Sequence, residues 1–255
     1  KCRIDGVTSI SYSAFFGCSS LTSIDIPESV TSIGQSAFQD CSNLTSITIP
    51  ESVAYIGSHA FRGCTSLTSI NIPNNLKNIL SGLFLWCTSL TNTTIPDSVT
   101  SIGDSAFYCC SSLTSLTIPD NVTIIGSSAF RGCSSLASIN IPNSVTSSYD
   151  NWFTDCSKLT CVSIGNVIND NNWKDFCKYS SITHINIIDG VTSISYSAFS
   201  GCSNLTSIDI PESVTSIGQS AFSGCKSLTS INIPENVTSI GSYVFSGCSS
   251  LTSIN

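Results

Sequence analysis

Apolar and polar residues alternate along this chain in a pattern that returns every 23 residues. A representative copy begins at Cys202 and reads C-S-N-L-T-S-I-D-I-P-E-S-V-T-S-I-G-Q-S-A-F-S-G, after which Cys225 opens the next copy. When each unit is numbered from its cysteine as position 0, the apolar positions are +3, +6, +8, +12, +15 and +20. A fixed period in the twenties is typical of a solenoid, in which each repeat forms one coil.

The 23-residue spacing holds along the whole chain. Phenylalanine occupies position +20 in all eleven places, from Phe15 to Phe245, and isoleucine occupies +8 in all ten full copies. All eight prolines fall at +9. We therefore predict a single solenoid of about eleven turns over residues 1–255, with partial units at 1–17 and 248–255.

Each unit predicts two short strands and one compact turn. The stretch L-T-S-I-D-I alternates in the manner of a strand whose +6 and +8 side chains point inward. Proline at +9 ends that strand, and V-T-S-I predicts a second one. Glycine at +16 predicts a tight bend, and S-A-F-x-G-C predicts a single helical or 3₁₀ turn that places the phenylalanine in the core.

Two stretches depart from the template, at about residues 76–93 and 145–187. In the first, Leu80 replaces the +16 glycine and Thr93 replaces an inward isoleucine. In the second, Tyr149 and Asn172 replace +16 glycines, and Trp152 replaces a +19 alanine. Departures from a strict template are places to search for function.

The unit L-T-S-I-D-I-P-E-S-V-T-S-I-G-Q-S-A-F-S-G-C closely resembles the BspA-like (Treponema pallidum-type) leucine-rich repeat, and the resemblance covers essentially all 255 residues. It differs from the common pattern L-x-x-L-x-L-x-x-N-x-L, because V-x-x-I-G-x-x-A-F-x-x-C replaces the asparagine ladder. The resemblance implies a curved, leucine-rich-repeat-like solenoid that is mostly β, with a parallel β-sheet along one face. It also implies a surface or secreted protein associated with adhesion to host proteins or other cells.

The charge and hydropathy of the chain exclude several classes of partner. Net charge is −7, and nine basic residues spread over the array give no nucleic-acid footprint. No apolar run approaches the length of a membrane span, so we expect no membrane insertion of this stretch. The sequence begins and ends inside repeat units, which favours an excised part of a longer array whose export signal or anchor lies elsewhere.

Ten of the fourteen cysteines occupy position 0 and should form a ladder. Adjacent strands bring Cα atoms within disulfide range, but stacked side chains point the same way, which favours buried thiols over ladder disulfides. No C-x-x-C pair or Cys/His grouping indicates a metal site, and no cofactor is expected. The predicted core ladder includes Phe38, Phe61, Phe107, Phe130, Phe199, Phe222, Cys41, Cys64, Cys202 and Cys225.

Neither histidine predicts a catalytic site. His59 at +18 and His184 at +5 lie more than five turns apart, and the repeat places no carboxylate or nucleophile beside either. A Ser-His-Asp arrangement needs three groups in hydrogen-bond reach, so we expect no enzyme. Half of the sixteen acids follow the strand at +10, which predicts a solvated acidic edge, with weak divalent-cation binding as an alternative.

The second departing stretch carries the predicted ligand-binding patch. Aromatic and cationic side chains are frequent at interface hot spots, although Trp152 could instead fill volume left by a missing isoleucine. The outward Thr, Ser and Asn rows offer a second contact surface for a protein or glycan, or only a solvated face. The predicted patch consists of Tyr149, Trp152, Lys158, Trp173, Lys174, Lys178, Tyr179 and His184.

Together these features predict a non-enzymatic, cell-surface or secreted protein that binds a protein or glycan ligand on host or neighbouring cells. A structural spacer that presents another module is the alternative, and a divalent-cation-binding surface protein is a more distant one. The ends of the solenoid predict end-to-end self-association.

Overall fold

Two rows of short parallel strands run along the molecule and build a solenoid. The computed structural model describes residues 6–146, 151–166 and 181–255, and the backbone of residues 2–3. Strands of the first row cover positions +5 to +8, and those of the second row cover +14 and +15. No α-helix occurs in the described residues.

The first row contains β1 (Cys2–Arg3), β3 (Ser23–Asp25), β5 (Ser46–Thr48), β7 (Ser69–Ile70), β11 (Ser138–Ile141), β12 (Cys161–Ile164), β13 (His184–Ile187), β15 (Ser207–Asp209), β17 (Ser230–Ile231) and β19 (Ser253–Ile254). The second row contains β2 (Ser9–Ile10), β4 (Ser32–Ile33), β6 (Tyr55–Ile56), β8 (Asn78–Ile79), β9 (Ser101–Ile102), β10 (Ile124–Ile125), β14 (Ser193–Ile194), β16 (Ser216–Ile217) and β18 (Ser239–Ile240).

Neighbouring strands of one row pair one repeat apart. Ser23 is opposite Ser46, which is opposite Ser69, so the register equals the sequence period. The first strand is an exception, because Cys2 pairs with Ile24, an offset of 22 residues. The parallel solenoid predicted from the period is therefore confirmed.

The inward side chains form one continuous core with phenylalanine at its centre. Phe38 and Phe61 are fully buried, and their ring centroids lie 5.5 Å apart with nearly parallel planes. Similar stacks join the phenylalanines of the described turns, at centroid separations up to 6.0 Å. Offset stacking of this kind adds to the burial of large apolar area, so each turn is stabilised by its neighbours.

The segment from +17 to +22 forms a third face rather than a helical turn. In the first turn, Ser13, Phe15 and Gly17 donate backbone N–H groups forward to carbonyls of the following turn, at 2.7–2.9 Å. Position +18 takes a left-handed backbone even as serine, for example Ser36 at φ +57°, and so does +22. The predicted single helical turn is wrong. Left-handed residues at +18 and +22 interrupt the helical backbone, so the N–H groups at +18, +20 and +22 donate to the following turn and not within their own.

Glycine at +16 is required by the close approach of two turns. A Cβ on Gly34 would lie 2.6 Å from the backbone of Ser11 and Tyr12 in the preceding turn. The equivalent atom on Gly218 would lie 2.7 Å from Ser195 and Tyr196. Glycine was predicted at +16 because it allows a tight bend. These glycines do not have positive φ, so the requirement is instead steric: a side chain would collide with the preceding turn.

Hydroxyl groups join successive turns on the outer surface. Thr45 at +4 and Thr31 at +13 each donate a hydroxyl to the carbonyl of the equivalent residue one turn earlier, at 3.2 and 3.3 Å. Ser29 at +11 donates to the Val7 carbonyl at 2.6 Å. The Thr- and Ser-rich template thus contributes hydrogen bonds between turns as well as solvation.

The position-0 cysteines are mostly buried thiols with a specific partner. Cys64 donates its thiol to the carbonyl of Phe38 at 3.1 Å, and the same contact recurs from turn to turn. Burial raises the pKa of Cys41 to about 11 and the pKa of Cys87 to about 12. Cys202 differs because it is disulfide-bonded, and its partner is not another position-0 cysteine, since the other nine are free.

Candidate functional site

Three residues of the predicted patch lie in the described part of the chain. Trp152 is buried, 5% exposed, with its ring edge-on to Phe153 at 6.3 Å. Its burial favours the alternative that it fills the interior volume left by a missing isoleucine. Lys158 is exposed and His184 is half-buried. The other five predicted residues, Tyr149, Trp173, Lys174, Lys178 and Tyr179, lie outside the described residues.

His184 lies beside a serine and an aspartate that the sequence pattern did not predict as its neighbours. Its Nδ1 lies 2.7 Å from the Ser207 hydroxyl, and its Nε2 lies 3.1 Å from a carboxylate oxygen of Asp209. All three residues project from the paired strands β13 and β15. The expectation that no nucleophile or carboxylate lies beside this histidine was wrong, because both come from the next turn.

The His184 arrangement joins the residue types of a Ser-His-Asp relay, but with the roles of the two ring nitrogens exchanged. A neutral imidazole that donates from Nε2 to Asp209 can accept the Ser207 hydroxyl at Nδ1. Acyl transfer also requires backbone N–H groups that stabilise an oxyanion. The N–H of Ser207 is engaged with the Thr183 carbonyl at 3.2 Å, so it does not supply one. The arrangement fixes side chains on the sheet surface.

A second cluster lies on the third face, where sequence reasoning placed none. It occupies positions +21 and +22 of successive turns, and we call it the arginine–aromatic face. Its members are Arg62, Trp86, Tyr108, Cys109, Arg131 and Asp155.

Each arginine of this face lies over an aromatic ring from a neighbouring turn. The guanidinium carbon of Arg62 is 5.0 Å from the Trp86 ring centroid, and that of Arg131 is 5.7 Å from the Tyr108 centroid. Arg131 also forms an ion pair with Asp155, with 3.3 Å between Nε and Oδ2. Cation–π contacts of this kind hold both partners in one orientation. The face is consequently ordered while Trp86 remains 44% exposed.

Cys109 joins the two halves of the face. Its thiol is hydrogen-bonded to the Trp86 side chain, and Arg131 and Asp155 lie close enough to influence its charge. Burial raises the pKa of the Cys109 thiol, Asp155 raises it further, and the Trp86 bond and Arg131 oppose the shift. Cys109 is therefore a neutral thiol at physiological pH and acts here as a packing and hydrogen-bonding group.

His59 borders the same face at the Arg62 side. Burial lowers its pKa, and the positive charge of Arg62 lowers it further. The imidazole is therefore neutral near pH 7 and adds a polar, uncharged edge to the face.

Three of the residues on this face adopt a backbone conformation that the repeat normally reserves for glycine. Trp86 has φ +62°, Cys109 has φ +57° and Asp155 has φ +64°, all at position +22. A left-handed backbone costs a non-glycine residue about 1–2 kcal/mol. The sequence did contain a signal for this site, because Trp86 replaces a template glycine. The cluster itself is recognised only when residues 23 positions apart are placed next to each other.

Other kinds of site are not found in the part of the chain that the structure describes. Within it, no group of three or more His, Cys, Asp or Glu side chains is placed to hold a metal ion. The described residues also include no helix with the length and apolar character needed to cross a bilayer. Glu51, one of the +10 acids, instead accepts hydrogen bonds from the backbone and side chain of Asn74.

Comparison with known proteins agrees with the repeat architecture. A family model described as BspA type leucine rich repeat region (6 copies) matches residues 4–114, 77–187, 100–215 and 171–255. A leucine-rich repeat protein from Bacteroides ovatus is similar at 33% identity, with a TM-score of 0.62, over 97% of this chain and 82% of that one.

A leucine-rich repeat protein from Eubacterium ventriosum is similar at 24% identity, with a TM-score of 0.52, over 98% of this chain and 82% of that one. At that identity the likeness supports the fold alone. No curated protein matches the chain.

Proposed function

Because this chain belongs to the BspA-type leucine-rich repeat family, we propose that it is a cell-surface or secreted interaction protein that binds a partner protein. The partner belongs to a host or to a neighbouring cell, and the arginine–aromatic face makes the central contact. Surface location and adhesion rest on the family resemblance. Family membership supports an interaction role rather than catalysis.

The observation that carries the proposal is the exposed Trp86 ring, held in place from both sides. Arg62 lies over the ring and the Cys109 thiol is hydrogen-bonded to the side chain, so little conformational freedom is lost on binding. Trp, Tyr and Arg are the residue types that dominate interface hot spots, and this face carries all three. The template residue at +22 is glycine, so a strained tryptophan there favours function over packing.

The predicted patch around residues 145–187 is retained as a second contact area. Lys158 is exposed and supports it, while the burial of Trp152 removes one aromatic anchor. We also treat residues 1–255 as one solenoid without a separate catalytic domain. A stalk-like spacer is the function that would remain if neither surface bound a partner.

The experiment compares binding of purified chain variants to extracellular-matrix proteins and to intact cells. In the first variant, Arg62→Ser, Trp86→Gly and Tyr108→Ser restore template-like residues on the arginine–aromatic face. We expect at least about a tenfold loss of affinity, since one hot-spot side chain is worth about 2 kcal/mol or more. Trp86→Gly should not lower stability, because it removes a left-handed tryptophan.

Tyr55→Ser is the matched control, because Tyr55 is 52% exposed on β6 and lies off the face. A third variant carries Trp173→Gln and Lys174→Ser and tests the predicted patch. Binding lost only in the first variant supports the proposal. Binding lost only in the third moves the contact to residues 145–187, and no binding by the unmodified chain leaves the spacer function.

A further inference from the structure

A cleft opens on the sheet side of the molecule, between β7 and the turn that follows it. Its volume is about 340 Å³. It lies at positions +5 to +10 of two successive turns, and the arginine–aromatic face occupies +21 and +22, so the two are on different faces. Six of its lining residues are Ser69, Asn71, Asn74, Asn92, Thr94 and Pro96.

The cleft exists because the first row of strands is interrupted here. Thr93 replaces an inward isoleucine, and its hydroxyl donates to the carbonyl of Ile70 at 3.2 Å. Between β7 and β11, a stretch that the structure describes completely, the row is reduced to the single bridge Ser69↔Asn92. The second row continues through β8, β9 and β10, so the turns stay stacked while one face opens.

The polar groups in the cleft divide into fixed and available ones. Asn71 accepts from the backbone N–H of Ile49 and donates to its carbonyl, and Asn74 is bonded to Glu51. The exposed side chains of Ser69, Asn92 and Thr94 make no hydrogen bond to any residue in the described ranges. Fixed amides therefore form the walls, and one free amide and two free hydroxyls are available to a ligand.

Apolar groups complete the surface of the cleft. Ile70 and Ile72 line it and are almost fully buried, and Pro96 borders it. No acidic or basic side chain is among its lining residues. A ligand that matches this surface is uncharged, has hydroxyl groups along its edge and has an apolar face.

We propose that this cleft binds one unit of a neutral saccharide. An asparagine amide both donates and accepts, so Asn92 can bond two neighbouring sugar hydroxyls while Thr94 bonds a third group. The ring C–H face lies against Ile72 and Pro96. The volume falls at the lower end of small-molecule sites, which suits a single sugar ring. This site is independent of the partner-protein contact proposed above.

The test measures binding of neutral gluco-, galacto- and manno-oligosaccharides, with sialylated and sulfated glycans as charged probes. Two variants alter the cleft: Asn92→Ala with Thr94→Ala removes two of the three available groups, and Thr93→Ile restores the template residue and should close the opening. The control, Ser46→Ala with Thr48→Ala, changes the same two unit positions two turns earlier, on the regular sheet of β5. Denaturation midpoints verify that each variant is folded.

We expect at least one neutral oligosaccharide to bind with a dissociation constant near the millimolar range, typical of a few hydrogen bonds. Both cleft variants should bind about tenfold more weakly, and the control should bind as the unmodified chain does. Binding of charged glycans alone, binding that survives in the cleft variants, or no binding of any neutral oligosaccharide would overturn the proposal. The variant with Arg62→Ser, Trp86→Gly and Tyr108→Ser leaves the cleft unchanged, so its effect on partner-protein binding is separate from the saccharide result.

Discussion

Residues 6–38 and 190–222 have almost the same sequence, differing only at Phe16 against Ser200 and at Ser20 against Asn204, but they occupy different places in the stack. In the first copy, Val7 and Phe15 are only partly buried and Cys18 is exposed. Their equivalents Val191, Phe199 and Cys202 are at most 3% exposed.

One turn further along the chain, equivalent residues of the two copies are buried to the same extent. Val30 and Val214 are both fully buried, and so are Phe38 and Phe222. Burial therefore depends on the immediately preceding turn and not on the local sequence, which is the behaviour expected of a nearest-neighbour array. The same 23 residues consequently contribute different free energies at different places.

The largest expected effect separates the two copies. Phe199→Ala should lower the free energy of unfolding by about 3–5 kcal/mol, because it leaves a cavity beside a fully buried stack. Phe15→Ala should cost clearly less, since Phe15 stacks on Phe38 but is only partly covered. Urea unfolding of both variants measures the difference. Equal losses would break the nearest-neighbour explanation.

The thiol ladder should make stability fall at alkaline pH. The pKa is about 12 for Cys156 and Cys225 in the folded chain because of burial, against an ordinary value of 9.0. The unfolded chain releases these protons at lower pH than the folded chain does. The contribution of the buried thiols to the free energy of unfolding is therefore fully present below pH 9 and is lost as the pH rises from 9 toward 12. Within that window, each buried thiol lowers the free energy of unfolding by about 1.4 kcal/mol per pH unit.

Urea unfolding between pH 7 and 10.5 measures this decline, and Cys225→Ala should reduce its slope. A thiol reagent at pH 7.5 sharpens the contrast, because exposed Cys18 should react at once and buried Cys225 only on unfolding. A free energy of unfolding that stays constant up to pH 10.5 would contradict the prediction.

A substitution at +16 should affect both copies equally. Gly34→Ala and Gly218→Ala each place a Cβ against the backbone of the preceding turn, which must shift, at about 1–3 kcal/mol. Since Gly34 meets the backbone of Ser11 and Tyr12 as closely as Gly218 meets that of Ser195 and Tyr196, we expect the two losses to agree within about 0.5 kcal/mol. Thermal unfolding of the two variants provides the measurement, and a much smaller loss for Gly34 would show that the end turn yields.

The smallest effect concerns the surface hydroxyls. Thr31→Val and Thr215→Val each remove one exposed hydrogen bond to the preceding turn, which measured 3.3 and 3.1 Å. The loss should be at most about 1 kcal/mol, and alike in both copies, because an exposed carbonyl can bond to water instead. Differential scanning calorimetry on the pair tests this, and a large loss would mean that the hydroxyl ladder is a main source of stability.

The period predicted much of the fold, because the side chains at +6, +8 and +20 can only be buried by stacking in register. Ile24 and Ile47, which are paired opposite each other, illustrate this. The left-handed residues at +18 were not predicted, since serine there gives no signal that N–H groups donate between turns.

The site residues were less predictable because their partners come from other turns. His184 meets Ser207 at a separation of 23 residues and Asp209 at 25, but those contacts become visible only after the register is known. The arginine–aromatic face needed the same step, since Arg62 and Trp86 belong to different units.

The forward-donating N–H groups of the third face give that face an electrical direction, opposite to that of the strand rows, where N–H groups such as those of Thr31 and Gly34 donate to the preceding turn. In each such peptide the carbonyl, for example that of Gln35, accepts from the preceding turn, and the adjoining N–H of Ser36 donates to the following one. Peptide dipoles aligned head to tail add together, as they do along a helix axis. Among the described residues, three such columns, at +18, +20 and +22, run along this face. On this face, a turn added at one end therefore meets bare carbonyls, and a turn added at the other end meets bare N–H groups, where anions are favoured.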